Sequence, residues 1–342
     1  MINKNCAALC KQRWDGIAKP IGSLGRLESM VCRLAAIQGT TEVNIDRRVC
    51  LVMCADNGVL AEGVAQTPAI VTVAQSVNIA RGKASVNAMA RSAHCDVVTV
   101  DVGINSNADV PELLGRKAGN GTGNITKEPA MTEEQLEQTL NTGMDLVREM
   151  KEKGYQIICT GEMGIGNTTT TSAVASVLLG IDPMRMTGRG AGLSDEGLVR
   201  KRNAIKRAIE FHQVNPNNPK EVIRCLGGFD IAALTGIFLG GWKYQMPIVV
   251  DGVISSVSAL AAVRIQPECV DYLIPSHLSR EPSAALVLQE LGLEPMIHAD
   301  MALGEGTGAV AVLPLLDAAL AVYQQNNTYE QLDYLPPELQ NQ

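Results

Sequence analysis

Aromatic side chains are scarce in this 342-residue chain: two Trp, six Tyr and three Phe make up 3% of it. With so few rings to stack on bases, and no basic tract, nucleic acid is not an expected partner. The 29 Lys and Arg against 36 Asp and Glu leave a formal charge of −7 at pH 7. No run of about 18 apolar residues is present, which argues against a membrane span, and the apolar stretch before Lys11 is too short for a secretory signal. The nine cysteines, at 6, 10, 32, 50, 54, 95, 159, 225 and 269, form no C-x-x-C pair. His94, His212, His277 and His298 show no H-x-x-x-H spacing. Reduced thiols in a cytoplasmic protein, and no bound metal, are therefore expected. What is plentiful is small and aliphatic: 46% of residues are hydrophobic and 32 are Gly. That composition suits helices packed on parallel strands, at a length that allows one large domain and a smaller one.

Short β-branched runs alternate with helical stretches. RRVCLVMCAD (47–56), DVVTVDVG (96–103), YQIICTGE (155–162) and PIVVDG (247–252) read as buried strands, with CVDYLIPS (269–276) a fifth candidate and VIRCLGG (222–228) or EPMIHAD (294–300) a sixth. Thr132 with Gln135 forms a capping box ahead of a helix that Gly154 stops. Ser194 precedes a second helix, acidic at its start and basic later, and Thr67-Pro68 opens a third. The pattern predicts an α/β fold: a mostly parallel sheet with helices on both faces. The first 40 and last 40 residues show no obvious strand; residues 41–290 are expected to form the large domain, and 1–40 with 291–342 a small helical one.

Ligands of open parallel sheets sit outside the carboxyl ends of the strands. Here Asp56-Asn57-Gly58, Asp101-Val102-Gly103, Glu162-Met163-Gly164 and Asp251-Gly252 each put a carboxylate beside a glycine at such an end. One Asp-Gly is most often a turn; four facing one crevice suggest a site. In TGEMGIGNTTTTSAVASVLLG (160–180), Gly164 and Gly166 let the backbone approach a ligand, and the amides of Asn167, Thr168 and Thr169 lie near a helix start. That is an anion site. It is neither a G-x-x-x-x-G-K-[ST] loop nor a dinucleotide G-x-G-x-x-G. A second cluster, TGRGAGLSDEGLVRKR (187–202), carries Lys201 two turns into its helix, able to reach back to a phosphate. In the third, LGLEPMIHADMALGEGTGAV (291–310), Glu305 stands between glycines in an uncharged stretch, the setting of a general base. On the bland reading, the Thr-rich start is a cap, Lys201 a solvated surface group and Glu305 a loop residue in water.

KPIGSLGRLE (19–28), ADNGVLAEGV (55–64), TGEMGIGNTTT (160–170), GRGAGL (188–193), DGVISSVSAL (251–260) and MALGEGTGA (301–309) together resemble the nicotinate-nucleotide:dimethylbenzimidazole phosphoribosyltransferases of cobamide assembly. The matches span nearly the whole chain. The resemblance implies a Rossmann-like sheet and transfer of the phosphoribosyl group of nicotinate mononucleotide to a lower-ligand base, with no cofactor. It implies that Glu305 is the general base and that Glu162 lies near the reacting ribose carbon. Gly164, Gly166, Asn167, Thr168, Gly190, Lys201 and Ser279, with Asp230 and Asp251, would hold the phosphate and ribose. Thr67, Gln75 and Leu303 would line the base pocket. It further implies a homodimer with residues contributed across the interface; the alternatives are a heterodimer with a paralogue acting on phenolic acceptors, and a non-catalytic nucleotide-binding subunit. Asn57 departs from the family pattern, where many members have His, and Ala55 from a frequent Gly; the expected effect falls on the base pocket.

Overall fold

Every residue of strand β1 (Arg48–Ala55) is buried, and its side chains alternate between two cores. Val49, Leu51 and Met53 belong to one, Cys50, Val52 and Cys54 to the other. A strand apolar on both sides needs cover on both faces, which is why parallel sheets are sandwiched by helices. The computed structural model describes residues 1–106 and 110–334, and among them it places β1 at the centre of a six-stranded sheet. The other strands are β2 (Cys95–Gly103), β3 (Leu114–Gly115), β4 (Ile157–Met163), β5 (Ile248–Val250) and β6 (Leu273–Pro275). Their order is β3-β2-β1-β4-β5-β6 and every pairing is parallel. The direction of winding reverses between β1 and β4, the place where such sheets open a ligand crevice.

One face is covered by α5 (Glu133–Glu152), α6 (Asn167–Leu179), α7 (Pro183–Met186), α8 (Asp195–His212), α9 (Pro219–Leu226), α10 (Phe229–Tyr244), α11 (Val253–Ile265) and α12 (Ser283–Glu290). The other carries α1 (Lys4–Gly16), α2 (Arg26–Gln38), α3 (Ile70–Ala80), α4 (Ser85–Ser92), α13 (Thr307–Ala311) and α14 (Leu313–Gln325). The start signals act where the sequence places them. Thr132 Oγ1 accepts from the Gln135 amide and Gln135 returns the bond to Thr132 N–H, while Ser194 Oγ accepts from Gly197 N–H. α3 starts at Ile70 rather than at Thr67-Pro68, with Ala69 already in helical conformation ahead of it.

Two strand assignments are corrected. Residues 222–228 are not a strand: Asn218 caps α9, Pro219 opens it, and Val222, Ile223 and Leu226 turn inward with helical period. Residues 294–300 contribute only the bridge of Ile297 to His277, and the sixth strand is the two-residue β3. The fifth is shorter than its run, since Pro267–Tyr272 coils into a 3-10 turn before β6 begins.

The ends of the chain meet on the second face. Trp14 and Tyr323 stack with centroids 5.1 Å apart, and Ile17 bridges Thr328. Arg48 at the start of β1 holds both oxygens of Asp317 on α14 at 2.9 Å. The stretch Thr307–Gln325 has membrane-span length and a mean hydropathy of 1.4, but Val310, Leu313, Leu316 and Leu320 are buried in this second core.

Candidate active site

Of the four strand ends that pair a carboxylate with glycine, two are turns. Asp101 Oδ1 accepts from the amides of Gly103 and Ile104 at 3.1 and 2.8 Å, and Asp56 Oδ2 accepts from Asn105 N–H at 2.8 Å. The other two, Glu162 at the end of β4 and Asp251 after β5, line a cleft of about 190 Å³. The same cleft is lined by Gly164, Gly166, Asn167, Thr168, Gly190, Ser279, Thr67, Leu303 and Glu305.

Glycine brings the two glutamates together. A Cβ on Gly161 would lie 2.5 Å from the Glu305 carbonyl oxygen, so only a bare backbone at β4 admits the 304–306 loop. A Cβ on Gly304 would lie 2.6 Å from Glu162 Oε1. Glu305 itself has φ +63°, between Gly304 at +90° and Gly306 at +93°. A left-handed glutamate costs about 1–3 kcal/mol and persists only where its surroundings hold it. Asp251 does so: its carboxylate accepts from the amides of Gly306 and Ala309 at 3.2 and 2.9 Å. It therefore anchors the loop that carries Glu305, and burial raises its pKa. The Glu305 carboxylate, 8% exposed, accepts from Gln75 Nε2 at 2.5 Å and from the Val86 amide at 3.3 Å. Asn78 in turn donates to Gln75 Oε1, which orients the amide.

The opposite end of the cleft is built for an anion. α6 starts at Asn167, and the first-turn amides of a helix have no carbonyl four residues back. Those of Asn167 and Thr169 turn onto Gly164 and Gly166; Gly166 and Thr168 face the cleft, at the positive end of the helix dipole. Lys201 is fully buried on α8, its ammonium donating to Thr168 Oγ1 at 2.8 Å and to the Gly188 carbonyl at 3.2 Å. Burial lowers its pKa to about 8. Gly190 (φ +53°) passes so near that a Cβ would lie 2.8 Å from Thr168 Oγ1. Ser279 is 7% exposed on the cleft wall.

Three candidate residues stand behind the lining instead of in it. Gln75 reaches the cleft through Glu305 and Lys201 through Thr168, while Asp230, at the start of α10, reaches it through Asn167. Asn57, which departs from the family pattern, is buried beside the start of α6. Its Oδ1 accepts from Thr170 Oγ1 on α6 at 3.4 Å, and a Cβ on Gly164 would lie 3.1 Å from its Nδ2 and 2.8 Å from Asp230 Oδ2. It thus packs against α6 and the Gly164–Gly166 loop and is not among the residues lining the cleft.

The sequence reading missed Glu281, His277 and Arg189 on the cleft wall, and the Val86 amide. Glu281 Oε1 accepts from Gly190 N–H at 3.1 Å. The crowding of Gly308 against the His277 ring could have hinted that 277 packs on the GEGTGA loop, but only once β6 and α13 are known to be adjacent. All nine cysteines are free thiols.

A family model described as DBI_PRT, Phosphoribosyltransferase, matches residues 1–332. The nicotinate-nucleotide--dimethylbenzimidazole phosphoribosyltransferase of Ruminiclostridium cellulolyticum is 46% identical over 96% of this chain and 93% of its own length. That of Acetivibrio thermocellus is 42% identical over 94% and 92%. The crystal structure of CobT from Thermus thermophilus superposes with a TM-score of 0.92 at 40% identity, covering 97% of this chain and 99% of that one. On these matches, and on a fold shared over 97% of its length, the chain belongs to this phosphoribosyltransferase family.

Proposed function

We propose that this phosphoribosyltransferase moves the phosphoribosyl group of nicotinate mononucleotide to an aromatic lower-ligand base such as 5,6-dimethylbenzimidazole, giving an α-riboside 5′-phosphate and nicotinate for cobamide assembly. One observation carries the reading: a lone glutamate held in a strained turn, a second glutamate and a helix start backed by a buried lysine line a single cleft.

The phosphate rests on the amides of Gly166 and Thr168, with Lys201 and Ser279 beside it. The ribose carbon then lies near Glu162, whose carboxylate faces the positive charge that develops at C1′. The base enters past Thr67 and Leu303. Glu305, oriented by Gln75 and Val86, takes the N–H proton of the base as its other nitrogen attacks C1′. The C1′–N electrons return to the pyridinium nitrogen, which is already cationic, so nicotinate leaves without an acid. Attack from the face opposite the leaving ring inverts C1′. Most of the rate comes from holding the two rings in line.

We further infer that residues 1–40 with 291–334 form the smaller helical part, the rest of the expected segment (335–342) lying outside the described residues, and 41–290 the larger, so that Glu305 comes from one part and Glu162 from the other. The base end of the cleft is open, with Leu303 56% exposed, which fits a homodimer whose second copy covers it. Free thiols throughout suit a cytoplasmic enzyme.

The reaction is tested by incubating nicotinate mononucleotide with dimethylbenzimidazole and following released nicotinate and the new riboside phosphate. Glu305→Gln is expected to lower kcat roughly 10²–10⁴-fold, the usual cost of losing a general base, with nucleotide binding nearly intact. Unchanged turnover would remove Glu305 from the mechanism.

A further inference from the structure

Glu162 faces the cleft on one side and a closed polar chain on the other. Its Oε2 accepts from Asn167 Nδ2, and the same Nδ2 donates to Asp230 Oδ2 at 3.0 Å. An amide nitrogen has two protons, and this one places both on carboxylates. Asp230 is fully buried, with no share in the cleft lining. Its Oδ1 is taken by the Ile231 amide at 2.9 Å, so the carboxylate is fixed in position. Gly164, whose Cβ would lie 2.8 Å from Asp230 Oδ2, leaves the room that lets a strand end, a helix start and this carboxylate converge. Asp230 is thus a second carboxylate, out of reach of any ligand, tied to Glu162 by a shared donor.

We propose that Asp230 is a positioning residue that acts through Asn167 to set when Glu162 ionises. Two carboxylates bridged in dry surroundings resist being charged together and titrate as a pair. The other groups facing Glu162 are Asp251 after β5, Glu305 in the 304–306 loop and the thiol of Cys54 on β1, none of them a cation. Burial first, and then the charge of Asp230, pushes the Glu162 pKa up to about 8, while the Asn167 hydrogen bond pulls it down. Burial likewise pushes Asp230 up to about 6, with Asn167 again opposing. At neutral pH the empty cleft therefore holds Glu162 largely protonated. A cationic ring nitrogen arriving there favours the carboxylate, and the proton leaves to solvent. The idea rests on the role proposed above for Glu162 and adds the group that controls it.

The test is the pH dependence of kcat/KM for nicotinate release, which reports groups of the free enzyme. The intact protein is expected to show an acid limb near pH 8 that is absent in Glu162→Gln. Asp230→Asn removes a like charge, so the limb moves to lower pH by about one unit. Asn167→Ala removes the donor, so the limb moves to higher pH, whatever else the change does to the rate. Opposite displacements are not what general loosening of the site produces. If Glu162→Gln keeps both the limb and the rate, the role of Glu162 fails. If it loses the limb but Asp230→Asn and Asn167→Ala leave the limb in place, the coupling fails and Asp230 is merely structural. A second readout needs no variant of Asp230: the carboxyl ¹³C resonance of Glu162 in the unliganded protein is expected to titrate near pH 8. A single step in the ordinary carboxylate range would overturn the proposal.

Discussion

Lys201 shows what one buried cation costs and what it can do. Burial of this ammonium outweighs its hydroxyl and carbonyl partners and the opposing charge of Glu281, and its pKa falls to about 8. A phosphate next to Thr168 would add a counter-charge in direct contact. Lys201→Met is expected to raise KM for nicotinate mononucleotide roughly 10–100-fold, equivalent to a charged hydrogen bond of about 1.5–3 kcal/mol. The sign of the pH effect follows: the cation is present below about pH 8 and lost above it, so kcat/KM falls on the alkaline side in the intact protein and not in Lys201→Met. Initial rates across pH 6–10 check both. At this scale the sequence told much about residues whose neighbours in the chain make their setting. Glu305 is framed by its own glycines, and the 164–168 loop carries its own helix start. Glu281 was missed, and the settings of Asp230 and Asn57, though both were named, were opaque, because what defines each is a partner 50 or more residues away.

Among the elements, the strong signals were helix caps and long β-branched runs, and the weak ones were short strands. β3 has two residues and no apolar run to announce it, whereas 222–228 has a strand-like run whose helical nature lies in the Asn218-Pro219 start ahead of it. The position of α10 matters because its first turn delivers Asp230. α10 crosses α5 backbone to backbone: a Cβ on Gly236 would meet the Leu140 carbonyl and come within 3.0 Å of Leu140 Cα, and Gly143 meets Ala233 in the same way. Gly236→Ala is expected to cost about 1–3 kcal/mol by overpacking, read as a lower urea midpoint. A wild-type midpoint would mean that the two helices can part at no expense.

At the scale of the whole molecule, the described terminal helices and the sheet pack into one another. Trp14, Leu34, Leu316 and Tyr323 share one core with Cys50, Val52 and Val249 on the strands. The small helical part is thus expected to unfold with the sheet in a single calorimetric transition, and two separate transitions would count against that shared core. The carboxyls raised by burial give the transition a pH dependence. Glu162, with a folded pKa of about 8 against about 4.3 in the unfolded chain, binds more protons when folded, so its contribution falls as pH rises through that window. In Glu162→Gln that part of the slope is expected to vanish, leaving the variant more stable than the native chain at pH 8 and closer to it at pH 5.

In the proposed reaction, position 161 governs an encounter between reactants it never meets. Because β4 is bare there, the turn carrying Glu305, the proposed base, rests directly on the strand carrying Glu162. A single methyl would act as a shim, prising the acceptor's half of the cavity from the donor's. Such a protein could still house either molecule, yet would bring them to rest too far apart for one to displace the other's ring.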